Sequence, residues 1–103
     1  MAQVLADPQN NLYVYIYSDD HTPAHVHIFV GRKKSRSSKN IKINIGNNET
    51  PPKVLLAHPS IRNDDIKKAW YLVAKNQVML LNEWKNIHEK QKVSKKTNQN
   101  ILE

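Results

Sequence analysis

The chain contains no cysteine. Neither a disulfide framework nor a cysteine-ligated metal site is open to it. No apolar run approaches the roughly 20 residues of a membrane-spanning helix. Met1-Ala2-Gln3 lacks the basic-then-apolar layout of a secretory leader. A cytoplasmic protein without membrane contact is the expectation. Internal repeats and interdomain linkers are missing too, and 103 residues suffice for one modest core. This predicts a single domain over residues 1–90 and a polar, lysine-rich, disordered tail over residues 91–103.

Acidic residues are scarce. Nine Asp and Glu stand against 16 Lys and Arg, for a formal net charge of +7. The excess is uneven: Arg32, Lys33, Lys34, Arg36, Lys39 and Lys42 crowd one stretch, and Lys90, Lys92, Lys95 and Lys96 another. Clusters of this kind attract phosphate backbones through counterion release. They also serve as solvated loops that keep a protein soluble.

What is present is period-two patterning, then a change of period. Leu12, Val14 and Ile16 alternate with Tyr13, Tyr15 and Tyr17, and Val26, Ile28 and Val30 with His25, His27 and Phe29. Both stretches read as strands, joined by the polar connection Ser18 to Pro23. Ile41, Ile43 and Ile45 mark a third strand, ended by Gly46-Asn47-Asn48. Lys53 to Ala57 and Val4 to Ala6 read as shorter ones. From Asn63, Ile66, Trp70, Val73, Gln77, Leu80, Leu81, Trp84 and Ile87 recur at helical steps, predicting one long helix to about Glu89. Asn63 is its expected cap, and Asp64 and Asp65 suit the positive helix N-terminus.

An aliphatic sheet face and a matching helix stripe imply an α+β fold. The expected architecture is a three- to four-stranded antiparallel meander packed on one C-terminal helix, in two layers. The other sheet face then carries Tyr13, Tyr15, Tyr17, His25, His27, Phe29, Lys42 and Asn44. Left open to water, as an antiparallel sheet allows, it would be aromatic, imidazole-bearing and cationic.

The chemistry concentrates in Asp19-Asp20-His21-Thr22-Pro23-Ala24-His25-Val26-His27. His25 and His27, two apart on a strand, point the same way with Cα atoms about 6.5–7 Å apart. That spacing allows them to chelate one divalent metal ion, with His21, Asp20 or Asp19 swinging in as a third ligand. The same pair can act as general base and acid in cleaving RNA, with His21 and Asp20 in support. Lys42 would then stabilise phosphoryl charge, Tyr15 or Tyr17 would orient the group, and Arg32, Lys33, Lys34 and Arg36 would hold the backbone. A third reading is structural: polar-face filling, with Asp20 capping the turn. His58 reads as a turn residue, His88 as a helix C-terminal cap, and the tryptophans as core.

Two stretches carry a family resemblance. Asp20-His21-Thr22-Pro23-Ala24-His25-Val26-His27, after Tyr13 to Ser18, resembles the Asp-His-x-Pro-Pro-His-Val-His signature of the bacterial domain of unknown function 4160 family. Asn76-Gln77-Val78-Met79-Leu80-Leu81-Asn82-Glu83-Trp84 resembles its Asn-Gln-x-x-Leu-Leu-x-x-Trp helix. Ala24 replaces the usual second proline, and the basic segment Arg32 to Asn40 is longer than the family's tight connection. The resemblance implies no established activity. It does imply toxin–antitoxin-like modules in which a small protein from a neighbouring gene is the partner. Expected roles are thus an RNA-directed toxin-like protein, a divalent-metal domain using His21, His25 and His27, or a protein-interaction module whose tyrosine face is the interface.

Overall fold

The alternating stretches form five strands in the computed structural model, which describes residues 2–31 and 39–102, with side chains placed for 2–31 and 39–89. The elements are β1 (Ala2–Asp7), a one-turn 3-10 helix (Pro8–Asn10), β2 (Leu12–Ile16), β3 (His25–Val30), β4 (Asn40–Asn44), β5 (Lys53–Ala57), α1 (Asn63–Lys75) and α2 (Gln77–Leu102). The sheet order is β1-β2-β3-β4-β5, every neighbouring pair antiparallel. The meander is as expected, with both short candidate strands included, so it has five strands and not three or four.

Register follows from burying the alternating aliphatic side chains of the three central strands on one face. Val14 lies opposite Ile28 and Ile28 opposite Ile41. Leu12, Val14, Ile16, Val26, Ile28, Ile41, Ile43 and Ile45 are fully buried against Ala69, Leu72 and Val73 of α1 and Leu80 and Trp84 of α2. Each such aliphatic side chain contributes roughly 1.5–3 kcal/mol of transfer free energy. The α+β layering follows from that face.

The single long helix is a correction: there are two. Asn76 ends α1 with φ −116° and ψ 22°. Its side-chain Nδ2 donates to Leu72 O at 2.8 Å, and its own carbonyl accepts from Leu80 N at 2.8 Å. A short amide side chain competes with the backbone for these bonds, so the helix stops and restarts around it. Gln77, placed by periodicity on the apolar stripe, is a polar anchor: its Nε2 donates to Ile45 O at 2.8 Å and Thr50 O at 3.2 Å. That clamps the β4–β5 turn to the junction between the helices. Gly46 in this turn has φ +76°, and a Cβ there would strike Thr50 O. At the other end, Arg62 and not Asn63 is the cap residue of α1, and it makes no side-chain capping bond. The apolar stripe ends near Glu89, but α2 continues to Leu102. Among the described residues no helix is long and apolar enough to cross a membrane.

The second sheet face is also less open than expected. Tyr17, His25 and Phe29 are only 2 %, 5 % and 1 % exposed. Rings cover rings: Tyr15 stands edge-on to Phe29 at 5.4 Å and Tyr17 to His27 at 4.8 Å. Trp84, a core residue, also packs on His25 at 5.3 Å, so α2 closes over the start of β3.

Candidate metal centre

Local hydrogen bonding folds the β2–β3 connection back on itself. Asp20 N donates to Tyr17 O at 3.1 Å, and Tyr17 N donates to the Asp20 carboxylate at 3.4 Å. The Thr22–Pro23 peptide bond is cis. These contacts set the Asp20 carboxylate over the start of β3, where His25 and His27 share a face, as their two-residue spacing requires.

Both imidazoles are oriented through Nδ1. His25 Nδ1 lies 2.9 Å from Pro23 O, a pure acceptor, so the ring donates there. His27 Nδ1 lies 3.4 Å from Asn40 Oδ1 and donates across to β4. In each neutral ring the Nε2 lone pair is then free, and both point at one atom: His25 Nε2 and His27 Nε2 each stand 3.3 Å from Asp20 Oδ2. All three atoms lie within 4.8 Å of one another. His27 Nε2 is buried, and its 3.3 Å approach to Asp20 Oδ2 falls outside good hydrogen-bond geometry.

Electrostatics sharpen the arrangement. The Asp20 side chain is 9 % exposed and that of His27 17 %. Desolvation by burial holds the His27 imidazole below its ordinary pKa of 6.5, and His25 nearby pushes the same way. Together they outweigh the raising influences of the Asp20 carboxylate, the Asn40 hydrogen bond and a weaker hydrogen-bonding contribution from Asp20 itself. A neutral His27 protonated on Nδ1 presents its lone pair to a carboxylate oxygen, a repulsive approach that either a proton or a metal ion between them relieves. Ligands held at ~2.0–2.1 Å by a tetrahedral ion stand roughly 3.3 Å apart. An N–H donor to a carboxylate normally sits closer, at about 2.7–2.9 Å. Donation of the second ring nitrogen to a carbonyl or amide oxygen is also what orients histidine ligands in metal sites.

A second tier comes from the far end of the chain. His88 stacks on Trp84 at 3.9 Å, and its ring nitrogens lie 2.8 Å from Trp84 O and 3.1 Å from Asp20 O. Trp84 in turn walls His25. The expected helix C-terminal cap is a correction: α2 runs on to Leu102, so His88 lies within the helix and its bond to Trp84 O is an i, i−4 contact. The tie to the hairpin was not foreseen. Only the apolar step to Trp84, which aims residue 88 toward the same side, hinted at it.

The other expected site residues are dispersed. His21 is exposed and outside the converging group, which is formed by Asp20, His25 and His27. It lines a cleft of about 310 Å³ beside the group, together with Asp20, His25, Thr22, Lys42, Asn44 and Leu55. Lys42 lies directly opposite His27 in the register. Tyr15 donates its hydroxyl to Gln3 at 3.0 Å, and Tyr17 is packed against His27. Arg32, Lys33, Lys34 and Arg36 lie outside the described residues. His58 accepts from Ser60 N at 3.1 Å in a turn.

A family model described as "Domain of unknown function (DUF4160)" matches residues 11–85. The chain belongs to the DUF4160 family. The resemblance read from the hairpin and the C-terminal helix is thereby borne out at the level of the family. Neither a curated protein nor a solved structure matches the chain. Asp20, His25, His27 and Trp84 all fall inside the DUF4160 match, and His88 lies just beyond it.

Proposed function

We propose that this DUF4160 domain binds one divalent first-row transition ion through Asp20 Oδ2, His25 Nε2 and His27 Nε2, leaving a coordination position open toward the cleft. The observation that carries this reading is the convergence of the Asp20, His25 and His27 donor atoms within 4.8 Å of one another, with the buried Nε2 of His27 in poor hydrogen-bond geometry 3.3 Å from the Asp20 carboxylate. Two nitrogens and one oxygen, without thiolate, suit zinc, cobalt or iron better than a hard ion such as magnesium. Three protein ligands with one open position form the pattern of a catalytic rather than a purely structural site. A water on such an ion becomes a nucleophile near neutral pH.

Untagged protein, stripped with chelator and titrated calorimetrically with Zn²⁺ and then Co²⁺, tests the proposal. One ion per chain is expected, and Asp20→Asn or His27→Gln should weaken binding by at least about tenfold. A folded protein that takes up neither ion at neutral pH would sink it.

A second reading, RNA-directed activity within a toxin-like two-gene module, draws on the net charge of +7 and on Lys42 in the cleft. Its expected result is growth arrest on expression, abolished by His25→Ala. Normal growth with intact RNA overturns it.

A further inference from the structure

An open meander has two outer strands, and each leaves a row of backbone N–H and C=O groups without a neighbouring strand. Here they are β1 and β5, and the two edges are finished differently. On β1, Val4 and Leu5 pack against the core, and no large apolar side chain of the strand is exposed. β5 is the reverse. Four large apolar side chains are exposed among the described residues, and Leu55, Leu56 and Tyr71 border this edge.

The sequence of β5 explains its exposure. Pairing with β4 is irregular between Lys42 and Ile43, which makes Leu55 the extra residue of a bulge beside Leu56. Val54 and Ala57 pack on the core, while both leucines are turned out to water, Leu56 at 67 % exposure. Tyr71, 63 % exposed, stands on α1 in edge-on contact with Trp70. Trp70 Nε1 donates to Pro52 O at 2.7 Å, which holds this part of α1 at the head of β5. Apolar side chains beside an unpaired strand edge form a template for a further strand.

The surrounding charge selects what that strand is. Lys53 is exposed at the start of β5, Lys42 is opposite Leu56, and Lys67 precedes Tyr71 by one helical turn. β5 itself has no Asp or Glu. The carboxylates of α1, Asp64 and Asp65, sit in its first turn, where Arg62 pairs with Asp65. A second copy of the chain would set lysines against lysines, and a net charge of +7 opposes that pairing further.

We propose that β5 is the docking edge for an extended, acidic segment of a partner protein, which adds to the sheet as a sixth strand. Its backbone pairs with β5, its apolar side chains lie on Leu55 and Leu56, and its carboxylates meet Lys53 and Lys67. Main-chain bonds supply affinity in this mode, and the side chains supply selectivity.

The test uses the full chain, isotopically labelled for NMR, and a short synthetic peptide that alternates valine with glutamate. The peptide should shift the β5 resonances saturably and slow hydrogen exchange of the β5 amides. Leu56→Asp, at a site already in water, should keep the fold and weaken the peptide by about tenfold or more. Lys53→Glu combined with Lys67→Glu should transfer the preference to a valine–lysine peptide. No saturable shift at β5 overturns the proposal. Equal binding of a fully N-methylated peptide, which has no backbone donors, overturns strand addition. Equal binding of the valine–lysine peptide by the wild type overturns the charge selection. A dimer of the protein alone that Leu56→Asp dissociates would give the edge to a second copy. Tighter occupation of the same amides by an RNA oligonucleotide would give it to nucleic acid, and either result overturns the proposal.

Discussion

His27 sits where burial and chemistry pull in opposite directions. In the metal-free protein its folded pKa lies below the unfolded value of 6.5, so the unfolded chain binds the proton more readily. Stability is then lost as pH falls below 6.5 toward the folded pKa, and it is unaffected above. Urea unfolding between pH 5 and 8 in chelator should show a steeper acid-side decline for the wild type than for His27→Gln; parallel profiles would refute it. His88 acts through its neighbours. His88→Ala should leave the sheet intact yet weaken Zn²⁺ binding by about 10- to 100-fold, the usual cost of removing an outer-shell support. Unchanged Zn²⁺ affinity would show that the hairpin holds its shape without the helix. His25, His27 and Asp20 were legible in the sequence because they lie within one hairpin, and strand geometry aims two of them together. His88 was not, because its bond to Asp20 O spans 68 positions and no local pattern encodes it.

At the scale of elements, periodicity found the three central strands and the apolar stripe but not the break in the helix, and the two short outer strands took the sheet beyond the expected three or four. One residue outside helical geometry leaves the phase of the stripe almost undisturbed, so Asn76 is invisible to hydrophobic spacing. Its signal lies in side-chain competition for Leu72 O, which only the folded backbone displays. The Gln77 anchor was masked in the same way, since a polar residue on an apolar stripe looks like an imperfection. Gln77→Leu should cost about 1–3 kcal/mol by leaving carbonyls in the β4–β5 turn without their donor. Chemical denaturation of the metal-free protein reads this directly, and a neutral or stabilising result would mean that water replaces the amide. Gly46→Ala should be at least comparably destabilising, because it adds a Cβ at positive φ against Thr50 O.

For the whole molecule, the two-layer arrangement was legible because only one sheet face is continuously aliphatic. The burial of the other face was not, because its aromatic rings shield one another across strands, and Trp84 serves both the core and His25. A domain of 103 residues has a modest reserve of stability, so a ligand that binds only the folded state shifts it visibly. At 100 times its dissociation constant, Zn²⁺ should add about 2.7 kcal/mol and raise Tm by roughly 10–20 °C. Asp20→Asn should remove about half or more of that rise in a thermal scan at the same Zn²⁺ concentration. An equal rise in the variant would place the ion elsewhere.

The 68-residue span between Asp20 and His88 also has a consequence in time. A ribosome makes the three donors first and the ring that braces them 68 positions after Asp20. While the nascent chain is being extended, it holds donors without the Trp84 and His88 buttress. On the proposed metal reading, firm capture of an ion is thus deferred until the second helix has docked.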